Sequence, residues 1–245
     1  MTVIMSVLKY LLVSYTRSYR YFGPVAFVII TVLFLYSYKP NPVMDSYAVT
    51  SSILFIGCAW LGLSFLNHDQ GRQTGLLVLH SGSALTFYIA QFAAIVLLAA
   101  CLSAGAVLYP MLTGMFNEPV GWMRFLTALS AHVSLSLLGA AIALFFQNGW
   151  IENYGRAAGM MLVLIVFSFA GLSLGSQLPE YAKWVIYLLP PVSPMVDMMM
   201  HDSERLLWEK AGMIAYSLGY TAFLLVVYLK AACSKDTADL IRKAG

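Results

Sequence analysis

The sequence predicts an all-α polytopic membrane protein with six transmembrane helices in a single transmembrane domain, 1–245. Three observations carry this prediction. Of 245 residues, 60% are hydrophobic and 10% charged, where soluble domains carry about 25% charged residues, and the mean hydropathy is +0.79. The formal charges leave six charge-free intervals, 21–38, 46–68, 73–117, 125–151, 157–179 and 211–229, each long enough for the roughly 17 residues that a spanning helix needs. An ionised side chain at mid-bilayer costs about 2.5–3.5 kcal/mol even on lenient insertion scales, so spans belong between charges. The apolar runs are also continuous, without the alternation of a lipid-facing barrel strand.

The first element is the segment 1–21, where Ile4, Leu8, Leu11 and Tyr15 recur at helical spacing while Lys9, Arg17 and Arg20 occupy the other face. That pattern predicts an amphipathic helix lying in the membrane interface. Lys9 interrupts the apolar run and no small-residue cleavage site follows, so the segment reads as part of the mature chain rather than a leader. Spans are then expected near 22–38, 46–66, 85–109, 121–146, 157–176 and 210–229. Between the second and third, a polar turn containing Asp69, Gly71, Arg72 and Thr74 precedes the apolar tetrad 76–79 and a small-residue break at Ser81, Gly82 and Ser83. This predicts a short amphipathic helix between two turns. Before the last span, the charge-free stretch 184–196 is too short to cross and carries Pro190, Pro191 and Pro194, so it reads as a broken, non-spanning segment.

Six spans place both termini on one side. With the termini inside, nine basic residues fall on that side and five on the other. An excess of Lys and Arg marks the cytoplasmic face, so both termini are expected in the cytoplasm of a multi-pass cell-membrane protein. Trp122, Trp184 and Trp208 near the outer ends and Trp150 near an inner end fit interfacial belts, whereas Trp60 falls within a span. The formal charge of +3 offers no strong basic field for nucleic acid. Cys58, Cys101 and Cys233 form no CxxC pair and read as small apolar fillers.

Catalytic constellations are missing: the chain contains no HExxH, no GxSxG and no phosphate-cradling GxxxxGK[ST] loop. No enzymatic activity is expected of it, and no cofactor or metal is assigned to it. Within the spans the polar groups that stand out are Gln91 and His132. His132 reads either as a group touching substrate or, by the commoner arrangement, as a histidine hydrogen-bonded to a neighbouring helix. The outer cluster Met195, Asp197, Met198, Met199, Met200, His201, Asp202 and Glu204 mixes soft and hard metal donors. Its alternative reading is a helix on the membrane surface, methionines filling an apolar contact and Asp197, His201 and Arg205 aligned at i, i+4 toward water.

The interfacial helix, six spans, the short helix after the second span and the broken segment before the sixth together resemble the permease subunit of an ABC transporter of the type-2 (ABC-2) exporter family. In that family the connection after the second span is a coupling helix that docks into a groove of a separate ATP-hydrolysing subunit. The resemblance assigns that contact to Asp69, Gly71, Arg72, Thr74, Leu76 and Leu77, with Gly82 standing where a proline is usual. It also implies an outer re-entrant hairpin over 178–200, a cytoplasmic ATPase partner carrying ATP and Mg, and a second permease, either the same chain or a homologue. A dimer seam is expected where small residues permit close approach. Gly155 and Gly159, and Gly171 and Gly175, have GxxxG spacing at the two ends of the fifth span, though such residues serve intramolecular packing equally well.

On this resemblance the expected function is export of an amphipathic or hydrophobic compound, such as a peptide antibiotic, drug or lipid, driven by ATP on the partner. The scattered hydroxyls of an otherwise apolar wall suit an amphiphile, with Gln91, His132, Ser136 and Tyr216 as candidate path residues. The alternative is a membrane-embedded sensor or assembly subunit that binds a partner without transport.

Overall fold

The computed structural model describes residues 3–68 and 74–244. In order, its helices are α1 (Val3–Arg17), α2 (Phe22–Leu35), α3 (Val43–Leu66), α4 (Thr74–Ser81), α5 (Ala84–Leu112), α6 (Trp122–Ala143), α7 (Tyr154–Gln177), α8 (Val192–Met200) and α9 (Leu207–Ala244). Two 3-10 segments, Leu144–Phe146 and Glu180–Leu188, extend α6 and lead into α8. Among the described residues, the extended pairing is one isolated bridge between Asn41 and Phe116. Five helices are long and apolar enough to cross a bilayer, namely α3, α5, α6 with its 3-10 turn, α7 and α9 as far as Lys235. The chain is an all-α membrane-embedded protein.

The first predicted span is the one that differs. α2 has 14 residues, about 21 Å at 1.5 Å per residue, short of the roughly 30 Å hydrocarbon core. Together α1 and α2 are long and apolar enough, but they are bent by 76° at the break between them. Tyr19 makes the elbow in a left-handed conformation, φ 56°.

The core is the pair α3 and α6, whose contact is the most extensive in the molecule. The reason is steric. A Cβ on Gly139 would stand 2.3 Å from the Phe55 carbonyl oxygen, and one on Gly62 would stand 2.8 Å from the Ala143 Cβ. Small residues on both helices bring the backbones together, which maximises dispersion contact where no hydrophobic effect separates helix from lipid. Against this pair pack α5, α8 and α9, while α2 lies on α3 where Gly57 admits Val28.

α1 seats on α5 and on the end of α3 through Val7, Leu11 and Tyr15, all buried. Of the apolar spacing, Leu11 and Tyr15 turn toward the protein together with Val7, while Ile4 is exposed. The protein surface that receives the helix selects a face rotated slightly from the one the apolar spacing suggested. Tyr15 packs edge-on to Phe65, with ring centroids 4.9 Å apart, and its hydroxyl donates to Ser64 Oγ at 3.2 Å. Burial pushes the Tyr15 phenol up to about 12, so it stays neutral at any physiological pH.

The connections sort into two ends. At one, Ser14 meets His68, Arg20 donates to the Asn67 carbonyl at 2.8 Å, the Asn148 amide donates to Asn67 Oδ1, and Lys235 donates to the Gly149 carbonyl. At the other, Asn41 pairs with the chain at Met115 and Asn117, and Arg124 bridges Glu118 and Asp202. The N-terminal helix, the α3–α4 and α6–α7 connections and the start of the last stretch of α9 thus share one end of the bundle.

Candidate functional site

Three regions contain the residues singled out by the sequence. The first is α4, which packs its back against α5 and α1. Leu77 and Val78 are half-buried, whereas Leu76 and Leu79 are 70% and 69% exposed. Their i, i+3 spacing aligns the two leucines on one side. Asp69, Gly71 and Arg72 lie outside the described residues, and Thr74 opens the helix. Leu79 belongs to the apolar tetrad 76–79 but not to the contact residues that the resemblance assigns, although its i, i+3 spacing from Leu76 is a usable signal.

The second region is α7, where the two GxxxG pairs face in different directions. Gly171 and Gly175 are buried against the broken segment that follows α7 in the same chain: a Cβ on Gly175 would lie 2.5 Å from Ile186 Cδ1, and the nearest atom to one on Gly171 is Ser193 Cβ at 3.8 Å. Gly155 and Gly159 are exposed, and a Cβ on Gly159 would meet nothing within 4 Å. A periodicity of 3.6 residues explains the split. At about 100° per residue, Gly155 points about 160° away from the buried Ala157, and Gly159 about 160° away from both Ala157 and Met161.

The third region is the interior that holds Gln91, His132 and Ser136. His132 Nδ1 lies 2.7 Å from the Ala128 carbonyl, which can only accept, so Nδ1 carries the proton. In the neutral ring Nε2 then accepts from the Thr50 hydroxyl at 2.8 Å, tying α6 to α3. Ser136 shares a 2.8 Å bond with Ser103 of α5. Gln91 accepts from Tyr228 at 3.5 Å, and Tyr228 in turn accepts from Gln147 at 3.1 Å, joining α5, α9 and the end of α6. Each of these polar groups is satisfied by a neighbouring helix, as buried polar groups in apolar surroundings must be.

Tyr216 stands apart from those three. It lines a cavity of about 670 Å³ between α7, α9 and the 178–206 segment, with Tyr187, Pro190, Pro194, Trp208 and Met213 among its walls. Tyr220, one turn further along α9, donates to the Leu188 carbonyl at 2.7 Å. Tyr220 is thirteen residues into α9, about 20 Å along its axis. The broken segment thus reaches well down the side of the last helix. α8 then packs on α3 and α7, with Met195 and Met199 fully buried and Ser51 3.6 Å from the Met199 sulfur. The methionines fill contacts with protein.

The acidic members of the same cluster lie elsewhere. Asp197 pairs with His201 at 3.2 Å and with Arg205 at 3.1 Å, although the helix ends at Met200. Asp202 is buried between Lys210, at 2.5 Å, and Arg124, at 3.6 Å. Among the described residues no group of three His, Cys, Asp or Glu side chains converges as metal ligands. Comparison of the chain with known protein families, with curated proteins and with solved structures gave no match.

Proposed function

We propose that the chain is the transmembrane permease subunit of an ATP-driven exporter of the ABC-2 type, acting with a separate cytoplasmic ATPase on an amphipathic or hydrophobic substrate. The observation that carries the reading is α4. It is an eight-residue helix between the ends of two long apolar helices, and it presents Leu76 and Leu79 away from the bundle. Exposed leucines on a short helix outside the apolar region mark an interaction surface. A rigid helix held in a partner's groove would pass displacement to α3 and α5, the two elements it connects. In this reading α1 lies near the membrane plane, as its 76° angle to α2 suits, and the basic end of the bundle faces the cytoplasm. A second permease completes the path. The exposed Gly155 and Gly159 face of α7 is the part of the expected seam free to receive it.

The test is reconstitution with an ATPase encoded beside the permease. Leu76→Asp with Leu79→Asp should abolish co-purification of the ATPase and its substrate-stimulated hydrolysis while insertion and melting temperature hold. Undiminished coupling removes α4 as the contact. A wild-type complex without ATP-dependent movement into or out of vesicles would instead favour the sensor or assembly role.

A further inference from the structure

A second large cavity, about 740 Å³, opens at the end of the bundle shared by α1 and α4. Gly23 and Pro24 of α2 line one side, Trp60 and Ser64 of α3 the back, and Glu152 and Tyr154 the side of α7, with Arg20 at the elbow. Its volume falls within the roughly 300–1,000 Å³ of ligand sites. Two opposite charges line this one space. Among the described residues Arg20 and Glu152 make no ion pair, unlike Arg124, Lys183, Arg205 and Lys210. One guanidinium nitrogen of Arg20 donates to the Asn67 carbonyl, which orients the group and leaves further donors for a ligand.

The third wall identifies the kind of ligand. Trp60 is six residues before the end of α3, about 9 Å inside it, and is 38% exposed. Gly23 allows this approach, since a Cβ there would stand 3.2 Å from the indole Cζ2. The cavity therefore runs from a cation and an anion at the polar end of the helices to an aromatic face beside the apolar spans. A free aqueous zwitterion would satisfy the first part and leave the indole unused. A lipid with a phosphate, an amine and a glycerol backbone satisfies both.

We propose that this cavity binds the headgroup of an amine-bearing zwitterionic phospholipid, its phosphate on Arg20, its ammonium on Glu152 and its glycerol region against Trp60. The inference requires a bilayer but no ATPase, so it stands or falls separately from the export reading. Tyr154, the first residue of α7, lines the same space.

The test is native mass spectrometry of the purified, delipidated full-length protein titrated with phosphatidylethanolamine, phosphatidylglycerol or diacylglycerol. Arg20→Gln should weaken both phospholipids about tenfold, the loss of one charge-assisted contact. Glu152→Gln should weaken phosphatidylethanolamine about tenfold and leave phosphatidylglycerol unchanged or tighter, while Arg20→Lys should keep phospholipid binding within about threefold. Glu152→Gln lies in an exposed turn and decides the matter even if Arg20→Gln fails to fold. Unchanged phosphatidylethanolamine binding in Glu152→Gln overturns the proposal, as does diacylglycerol binding as tightly as phosphatidylethanolamine. Displacement by equimolar glycerophosphoethanolamine would also overturn it, since the site would then take a soluble phosphodiester.

Discussion

Gly139 shows how much of this fold rests on single missing methyl groups. Its Cα lies against the backbone of α3, where a Cβ would reach 2.3 Å from the Phe55 carbonyl oxygen and 3.1 Å from the Ala59 nitrogen. Backbone cannot rotate aside as a long side chain can, so Gly139→Leu must drive α3 and α6 apart. The expected loss is about 3 kcal/mol, the upper range for overpacking. It should be read as a lower melting temperature in detergent, with Gly219→Ala, where a Cβ meets nothing within 4 Å, as the unaffected control. Equal melting of the two variants would show that the helices separate without penalty. Neither Gly139 nor Gly62 was singled out from the sequence, because both sit in runs of small apolar residues that could face lipid or protein. Gly171 and Gly175 carried the recognisable spacing, yet their neighbours are Ser193 and Ile186 of the same chain. Spacing says that a helix can be approached closely and is silent about what approaches it.

The elements were legible where charge or proline bounded them. α3, α5, α6 and α7 lie where the charge-free intervals placed them, with ends displaced by about three residues or fewer, because the cost of a buried ion acts locally, whereas α9 begins as expected but continues past 229 to Ala244. The segment before α9 was legible as broken, since Pro190, Pro191 and Pro194 cannot continue a helix. Its course was not. A 3-10 helix followed by α8 descends beside α7 and α9, held by Tyr220 on the Leu188 carbonyl and by the Asp202 corner. Asp202 and Lys210 are both largely buried, so the pair differs in kind from the exposed Arg124–Glu118 bridge. Asp202→Asn should cost about 2 kcal/mol, between the ranges for exposed and fully buried pairs, and raise hydrogen exchange through 197–210. Glu118→Gln should change stability by less than about 0.5 kcal/mol. The ordering of those two melting temperatures is the measurement. If Glu118→Gln proves the more damaging, the Asp202 corner does not hold the segment before α9.

At the scale of the molecule, each long helix runs between the end that carries α1 and α4 and the end that carries the Asp202 corner. Single cysteines on a background lacking Cys58, Cys101 and Cys233 can read this directly. In intact cells a membrane-impermeant maleimide should label Glu118→Cys and Tyr181→Cys, both at the Asp202 end, and should reach Glu152→Cys only after lysis. Labelling of Glu118→Cys and Glu152→Cys from the same side would break the alternating topology, and labelling of Glu152→Cys alone would invert the orientation.

Composition and charge spacing by themselves determined the solvent, the helical class and the long apolar segments. These properties belong to stretches of about twenty residues and depend on transfer free energies that sum along the chain. Only the tertiary structure decided that α1 seats on α5 through Val7 rather than Ile4, that Gln91, His132 and Ser136 face neighbouring helices, and that Arg20, Trp60 and Glu152 surround one space. Those three residues lie on three separate segments, joined by an elbow and by a loop caught on Asn67. Their meeting depends on packing between helices, which a pattern along any one of them does not contain.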